Sequence, residues 1–143
     1  MEVAQPQTLH SQLRLAVLRL SRRLRQQAVG QITASQISAL STVAKRGELS
    51  LGELAAVEQI APPSMTRIAA RLEAQGLLER RIDAADRRVA RVAVTPAGSE
   101  LLQETRTRRD AYLAERLRTF DDAERELLAQ AIPLLERLSS DET

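Results

Sequence analysis

The sequence contains no cysteine, one histidine and only two aromatic residues in 143 positions. The absence of cysteine excludes disulfides, zinc–thiolate sites and thiol-based redox sensing. The lone histidine, His10, cannot form a metal site by itself and no carboxylate cluster accompanies it, so we expect neither a metal nor another cofactor. With Tyr112 and Phe120 as the only aromatic residues, the core must be aliphatic, which favours helices over a β-sandwich or barrel.

Long apolar runs are also absent. No stretch approaches the roughly 20 residues that cross a bilayer, and the first ten residues lack the basic and apolar regions of a signal peptide. We therefore expect a cytoplasmic protein with no membrane partner. The sequence also has no nucleophile–histidine–acid set and no glycine-rich phosphate loop, so we expect no catalytic residues and no enzyme.

Positive charge is abundant and comes almost entirely from arginine, which supplies 20 of the 21 basic residues. Genomic codon bias explains the arginine excess by itself equally well, so its distribution is more informative. Residues 62–91 carry seven arginines and four acidic residues, whereas residues 119–143 carry two arginines and seven acidic residues. A basic middle and an acidic end indicate one surface that faces a polyanion and another that is kept away from it.

Apolar residues spaced three and four apart predict helices over most of the chain. The first helix covers residues 8–29 and ends at Gly30, and the second follows a capping box at 33–36 and stops before Gly47. The last two cover 96 to about 118 and the segment after the "DDAE" capping box at 121–124. Pro133 lies within the final pattern and is expected to kink or split that helix.

Residues 50–76 have the spacing of a helix-turn-helix. The "SLGE" capping box at 50–53 opens a short helix, a break follows near residues 59–61, and Pro62-Pro63 begins a second helix that ends at Gly76. From Leu77 the period changes, and two short alternating segments flank the polar stretch "DAADRR". This pattern predicts a two-stranded ribbon with an arginine-rich tip, followed by a helix that Thr95 caps.

A helix-turn-helix followed directly by a β-ribbon is a winged helix, so the fold class is mainly α with a small β-wing (α+β). The second helix of such a pair can lie in the major groove of DNA, and a basic ribbon tip can reach the neighbouring minor groove. Arginine suits the minor groove because its planar, permanently charged head is weakly hydrated. Asp83 and Asp86 are expected to orient the tip and its arginines.

Two segments resemble the multiple-antibiotic-resistance regulator (MarR) family of bacterial winged-helix transcription factors. "LSLGELAAVEQIAPPSMTRIAARLEAQGLLERR" is similar to the family's helix-turn-helix and first strand. "DAADRRVARVAVTPAG" matches its wing pattern, here Asp86, Arg88, Val94, Thr95 and Gly98. The order and lengths of the other helices also fit, so the likeness spans nearly the whole chain.

The resemblance implies a set of DNA-binding residues. Ser64, Met65, Thr66 and Arg67 would open the recognition helix, with Arg71 one turn later and Pro62 and Pro63 presenting its start. Arg88 would enter the minor groove, held by Asp86, with Arg87 on phosphate. Helix starts would add backbone contacts from Ser35, Gln36 and Ser50. Met65 is equally compatible with packing, Arg71 with a solvated surface, and one of Arg80 and Arg81 must face the protein body.

The family is dimeric through its first and last helices, and both ends of this chain carry wide apolar stripes. The resemblance therefore implies one domain over residues 1–143, with a helical dimerisation region (8–30 and 96–140) and a winged helix-turn-helix region (33–95). Many members release DNA when a small, often aromatic ligand binds between these regions. The corresponding residues here are Leu15, Leu18, Arg22, Ile37, Leu40 and Leu102, for which ordinary core is the alternative.

The sequence thus predicts a homodimeric, sequence-specific regulator, most simply a repressor, that binds a pseudo-palindromic duplex and associates with the nucleoid when bound to DNA. A small aromatic or lipophilic effector is a possible further partner. The alternatives are an activator, an architectural DNA-binding protein and, from another class, a winged-helix protein-interaction module. An affinity for DNA that depends on its sequence distinguishes the regulator from the last two.

Overall fold

The computed structural model describes residues 8–140 as six helices and a small antiparallel sheet. The elements in chain order are α1 (Leu9–Arg25), α2 (Ala34–Arg46), β1 (Leu49–Ser50), α3 (Leu51–Glu58), α4 (Pro62–Ala74), β2 (Leu78–Ile82), β3 (Ala90–Val94), α5 (Pro96–Leu117) and α6 (Asp122–Ser139). This arrangement confirms the expected winged helix with helical extensions at both ends. No helix in the described residues is long and apolar enough to span a bilayer.

The core lies where α2, α3, α4 and the sheet meet. Leu40, Leu54, Met65, Leu72 and Val92 are fully buried there. They come from the inward faces of three helices and the central strand, so burial of these aliphatic side chains fixes the helix-turn-helix against the ribbon. Neither α1 nor α6 contributes a buried residue to this core.

The sheet has three strands in the order β1-β3-β2, so the prediction of a two-stranded ribbon was incomplete. β2 and β3 pair from Leu78↔Val94 to Ile82↔Ala90, and the two-residue β1 pairs with β3 through Leu49↔Val92. A strand of two residues leaves no alternation to read in the sequence. Because β1 directly precedes α3, the pairing of β1 with β3 attaches the start of α3 to the ribbon.

The caps at Thr33, Thr95 and Asp121 form as predicted, with side-chain oxygens accepting from backbone amides three residues later. The full capping box at 50–53 was wrong. Ser50 accepts from the Glu53 amide at 3.1 Å, but the Glu53 carboxylate does not return to Ser50 and lies 3.8 Å from the Arg91 guanidinium. Attraction to that cation turns the carboxylate away from the backbone.

Two predictions, one about the end of α1 and one about the interior of α6, also need correction. α1 ends at Arg25 rather than near residue 29, and Gly30, with φ of +75°, lies in the following loop. Side chains of α5 take over the backbone groups there: Arg109 Nε donates to the Leu24 carbonyl at 3.2 Å and the Val29 amide donates to Thr105 Oγ1. α6 continues through Pro133 to Ser139, so the helix is not split there, and a kink at that residue stays a prediction.

Candidate DNA-binding surface

The start of α4 is set by two prolines at its first positions, after a tight turn. Gln59 adopts the left-handed conformation (φ 53°, ψ 44°), and the Ile60 amide donates to the Ala55 carbonyl at 3.0 Å. Pro62 and Pro63 have no amide hydrogens, so the helix starts without a side-chain cap at Ala61. The turn and the prolines together fix the direction in which α4 leaves α3.

The outer face of α4 is a basic stripe with small residues between its cations. Thr66, Arg67, Ala70, Arg71 and Ala74 are all exposed, whereas the inner face is buried. The Thr66 hydroxyl donates to the Pro62 carbonyl at 3.0 Å. Within residues 8–140, no carboxylate pairs with Arg67 or Arg71. The two guanidinium groups are therefore available to a polyanion.

Two of the residues proposed for DNA contact, Met65 and Gln36, are buried, whereas the others remain at least partly exposed. Met65 is fully buried and packs in the core, which decides between the two possibilities left open for it. Gln36 is buried, and its side chain accepts from the Thr33 amide at 3.3 Å to complete a capping box. Ser35 is exposed at the start of α2, and Ser50 is half-buried at the start of α3. Pro62 and Pro63 are exposed, and Ser64 is half-buried.

Asp83 organises the base of the loop between β2 and β3. Its Oδ1 accepts from the amides of Ala85 and Asp86, at 2.8 and 3.3 Å, and its Oδ2 accepts from Arg91 Nε at 2.9 Å. Arg91 also lies 3.8 Å from Glu53 on α3. These hydrogen bonds lower the pKa of Asp83, with the Arg91 guanidinium as the largest cause. The loop is thereby shaped by one carboxylate and tied to the helix-turn-helix by one arginine.

The tip of the loop presents Arg88 to solvent. Asp86 accepts from the Arg88 amide at 3.1 Å and from its Nε and terminal nitrogen at 3.0 and 3.2 Å. The Arg88 side chain is nonetheless 91% exposed, and the neighbouring Arg87 is exposed without an ion pair in the described chain. The Arg88 contact lowers the pKa of Asp86. Asp86 orients the guanidinium while leaving most of its surface free.

The carboxylate assignments predict two separate pKa changes. Arg91→Ala should raise the pKa of Asp83 towards its ordinary value and leave Asp86 nearly unchanged, whereas Arg88→Ala should do the reverse. Since both folded pKa values are depressed, the contacts are intact above pH 4 and are lost as the pH falls through those lowered values. Carboxyl ¹³C titration by NMR measures both. A shift of both residues in either variant would show that the two contacts are not independent.

The ribbon is held against the end of α4 by Thr95 and Gly98. The Thr95 amide donates to the Leu77 carbonyl at 3.1 Å, and its hydroxyl donates to the Gly76 carbonyl at 2.5 Å. Gly98 is buried at the same point, where an added Cβ would lie 2.3 Å from the Leu77 carbonyl oxygen. Gly76, with φ of +73°, reverses the chain after α4. The end of α4 and the ribbon therefore share one closely packed junction.

Arg80 and Arg81 of β2 are neutralised by carboxylates of the same chain. Arg80 forms two hydrogen bonds with Glu73, both at 3.1 Å, and Arg81 pairs with Glu79 and Glu48. The hydrogen bond from Glu73 is the largest cause of a raised pKa at Arg80, and that from Glu79 has the same effect at Arg81. These cations stabilise the ribbon and are less available to DNA than Arg67, Arg71, Arg87 and Arg88.

Comparison with known proteins identifies the family to which this chain belongs. The MarR family model matches residues 32–90. An HTH-type transcriptional regulator of Mycobacterium tuberculosis is 42% identical over 128 residues, which cover 89% of this chain and 90% of that protein. This protein belongs to the MarR family. It is a DNA-binding transcriptional regulator and not an enzyme.

Two further comparisons cover the fold and the class of regulator. A solved structure of a Pseudomonas aeruginosa protein, proposed to be a transcriptional regulator, is 33% identical with a TM-score of 0.82, over 92% of this chain and 94% of that one. The HTH-type transcriptional repressor MdtR of Bacillus subtilis is 31% identical over 86 residues, which cover 60% of this chain and 56% of MdtR. The likeness to MdtR thus covers only part of each protein.

The residues named as a ligand pocket of this MarR-family chain do not share one cavity. Ile37 and Leu102 line a cavity of about 280 Å³ between α1, α2 and α5, together with Leu24, Thr105 and Arg109. Leu40 is fully buried in the core, Leu15 is half-buried and Leu18 is 53% exposed. Arg22 lies in a separate groove along α1. Periodicity identified the apolar faces but not which of them meet.

Two features of this MarR-family surface were missed in the sequence. Arg91 ties the wing to α3, although its place in a strand resembles that of Arg80 and Arg81. Glu58, the last residue of α3, accepts from Ser38 Oγ at 2.7 Å and from Thr42 Oγ1. The only sequence signal was the spacing of two hydroxyl residues one helical turn apart on α2.

Proposed function

We propose that the protein is a homodimeric repressor that binds a pseudo-palindromic operator through α4 and the wing. The observation that carries the proposal is the pair of exposed arginine groups, Arg67 and Arg71 on the outer face of α4 and Arg87 and Arg88 at the tip of the wing. Their shared junction at Thr95 and Gly98 holds the two groups in a fixed relation. A helix in the major groove and an arginine in the adjacent minor groove require such a fixed relation.

The contacts on DNA follow from the exposed residues. Arg67 and Arg71 face bases or phosphates, Thr66 and Ser64 lie at the start of α4, and Pro62 and Pro63 present that helix end to the duplex. Arg87 contacts phosphate and Arg88 enters the minor groove. Ser35 and Ser50, at the starts of α2 and α3, add contacts to the DNA backbone. Met65 and Gln36 act only through packing and capping.

Dimerisation follows from the apolar surface at the two ends of the chain. Leu127, Leu134 and Leu138 of α6 are 66%, 57% and 70% exposed, and Leu9 of α1 is 80% exposed. A contiguous stripe of this kind on a single chain indicates an interface. A second copy is the appropriate occupant, because two-fold symmetry would also place two α4 helices on one duplex. In this proposal residues 8–30 and 96–140 form the dimerisation region and residues 33–95 bind DNA.

Two further observations support a repressor that is controlled by an effector. MdtR, which is 31% identical to this chain over 86 residues, is a repressor. The cavity beside Ile37 and Leu102 has an apolar wall that an aromatic or lipophilic ligand could contact, and it lies between the two regions. Binding there would change their relative position and release the operator. Regulation of this kind requires the chromosome as partner, which places the protein in the cytoplasm and on the nucleoid.

Hydroxyl-radical footprinting of DNA from immediately upstream of the protein's own gene tests the proposal. We expect two symmetric protected segments about one helical turn apart, on the order of 34 Å, with one dimer per site. Continuous protection without symmetry would indicate an architectural protein instead. A transcription assay with and without the protein then gives the sign of regulation, and increased transcription would identify an activator.

Replacing Arg88 with alanine should lower affinity for operators with A·T-rich flanks about tenfold and flatten the preference for such flanks. The reason is that narrow A·T minor grooves concentrate the negative potential that an inserted arginine senses. Arg87→Ala is the matched control, because loss of a phosphate contact should weaken all flanks alike. Fluorescence anisotropy on two flanking sequences measures both variants. Equal losses for Arg88→Ala on the two flanks would argue against minor-groove readout.

A further inference from the structure

Arg91 lies in β3 at the point where the wing leaves the body of the protein. Its cross-strand partner is Ser50 of β1 on one side and Arg81 of β2 on the other. From Arg91 towards the tip, the ribbon has only two strands within the described chain, because β1 ends at Ser50. A hairpin of two strands is only marginally stable by itself. The tip therefore needs a contact besides the strand ladder to hold its position.

The Arg91 guanidinium supplies such a contact by bridging two carboxylates. Its Nε donates to Asp83 at the base of the loop at 2.9 Å, and a terminal nitrogen lies 3.8 Å from Glu53 on α3. Within residues 8–140, every other hydrogen bond of the loop stays between residues 83 and 89. The pair of Arg91 and Glu53 is thus the polar link, in the described chain, from the loop to a helix.

Glu53 faces Arg91 although a partner is available much nearer in sequence. It occupies the position from which a capping box would return to the Ser50 amide, and its own amide already donates to Ser50 Oγ at 3.1 Å. The Arg91 and Glu53 side chains are 32% and 50% exposed, so their contact contributes little to the stability of the fold. Its main effect is on where the wing lies relative to α3.

The same guanidinium is connected to the wing tip through Asp83. The other oxygen of Asp83 accepts from the Ala85 and Asp86 amides, and the Asp86 carboxylate in turn holds Arg88. Asp86 and Arg88 are two residues apart, so their pair persists without Arg91. The position of that pair relative to α4 depends on the bridge. A displaced tip would present its arginine away from the narrow groove in which the negative potential is concentrated.

We propose that Arg91 is a positioning residue that fixes the offset between Arg88 and the recognition helix, through Asp83 on one side and Glu53 on the other. Arg91 acts through Arg88 and not through a contact of its own with DNA. Lysine cannot replace it, because an ammonium group lacks the planar fork that bridges two carboxylates. The inference rests on the proposed function for its effect on DNA, whereas the position of the wing is measured without DNA.

Residual dipolar couplings of the backbone amides measure that position on the full-length protein. In the wild type, residues 84–89 should fit the same alignment as α3 and α4. Glu53→Gln and Arg91→Lys should each reduce the couplings of residues 84–89 relative to those of the helices. Glu48→Gln should leave them unchanged and is the matched control, because Glu48 is a carboxylate beside the same sheet that pairs with Arg81 instead. A wild-type tip that does not fit, or unchanged couplings in either variant, would overturn the inference.

On DNA, the readout is the ratio of affinities for operators with A·T-rich and G·C-rich flanks, measured by fluorescence anisotropy. Glu53→Gln removes a negative charge, so a purely electrostatic role predicts tighter binding to both operators alike. Positioning predicts instead that the ratio falls several-fold. Arg91→Lys keeps the charge of the surface and should lower the ratio in the same way. A ratio that changes in neither variant would overturn the role in recognition.

A double-mutant cycle with Arg88→Ala identifies the residue through which the contact acts. Glu53→Gln should change the flank ratio when Arg88 is present but not in Arg88→Ala, because the group that is positioned has been removed. An equal change in both backgrounds would contradict the assignment. A wild type that binds all duplexes equally would instead contradict the proposed function, and the dipolar couplings would still decide whether Arg91 positions the wing.

Discussion

Gly98→Ala is expected to lower the free energy of unfolding by about 3 kcal/mol, near the upper end of overpacking effects. The added Cβ would lie 2.3 Å from the Leu77 carbonyl oxygen and 2.9 Å from Val94 Cγ1. The first neighbour is backbone at the junction of α4 and the ribbon, so neither side can move cheaply. In a protein of this size, such a loss lowers the melting temperature by roughly 10 °C.

Gly52→Ala is the matched control for this substitution. Gly52 is exposed within α3, and a Cβ there would meet only Ser50 Oγ, at 4.0 Å. Alanine at such a helical position should stabilise the protein by roughly 0.5–1 kcal/mol. Circular dichroism during heating compares the two variants. An unchanged melting temperature for Gly98→Ala would show that the junction is looser than its contacts indicate.

Leu134→Glu is expected to convert the proposed dimer into monomers and to abolish operator binding at concentrations where the wild type is saturated. The two-fold symmetry would place two new carboxylates in one apolar interface. Burial of a leucine contributes about 1.5–3 kcal/mol, so each dimer would lose that contribution twice and would also have to desolvate two charges. Leu134 is 57% exposed on the single chain, so the fold of each subunit should be preserved.

The control for Leu134→Glu is Ala129→Glu, which introduces the same charge at an exposed position on the opposite side of α6. Sedimentation velocity gives the mass of each variant, and circular dichroism gives its helix content. We expect a dimer for Ala129→Glu and a monomer for Leu134→Glu, with equal helicity. A dimeric Leu134→Glu variant that still binds its operator would contradict the assigned interface.

The parts of the fold that depend on local sequence could be predicted. Thr33, Thr95 and Asp121 cap helices through contacts within three residues, and Gly47 and Gly76 end helices through their own backbone conformations. The Asp86–Arg88 pair at the wing tip is equally local, because its members are two residues apart. Such contacts follow from residue types and spacing unless a distant charge competes, as Arg91 does for Glu53 in the predicted box at 50–53.

The parts that depend on distant residues could not be predicted. The end of α1 is set by Thr105 and Arg109, which meet it across 76 and 85 residues of chain. The Glu58 contact with α2 and the Arg91–Glu53 contact are also long-range. Leu40 shares the apolar pattern of Ile37 but lies in the core, since periodicity does not show which neighbour each part of a helix face meets.

The most direct test of the central claim is the affinity of the wild-type protein for the proposed operator relative to a scrambled duplex of the same composition. Fluorescence anisotropy at physiological salt, with excess nonspecific competitor, gives this ratio. If α4 reads bases and the wing reads the flanking minor groove, the operator should bind at least about a thousandfold more tightly, and its affinity should fall steeply with salt. Equal affinities for the two duplexes would contradict sequence-specific recognition by this surface.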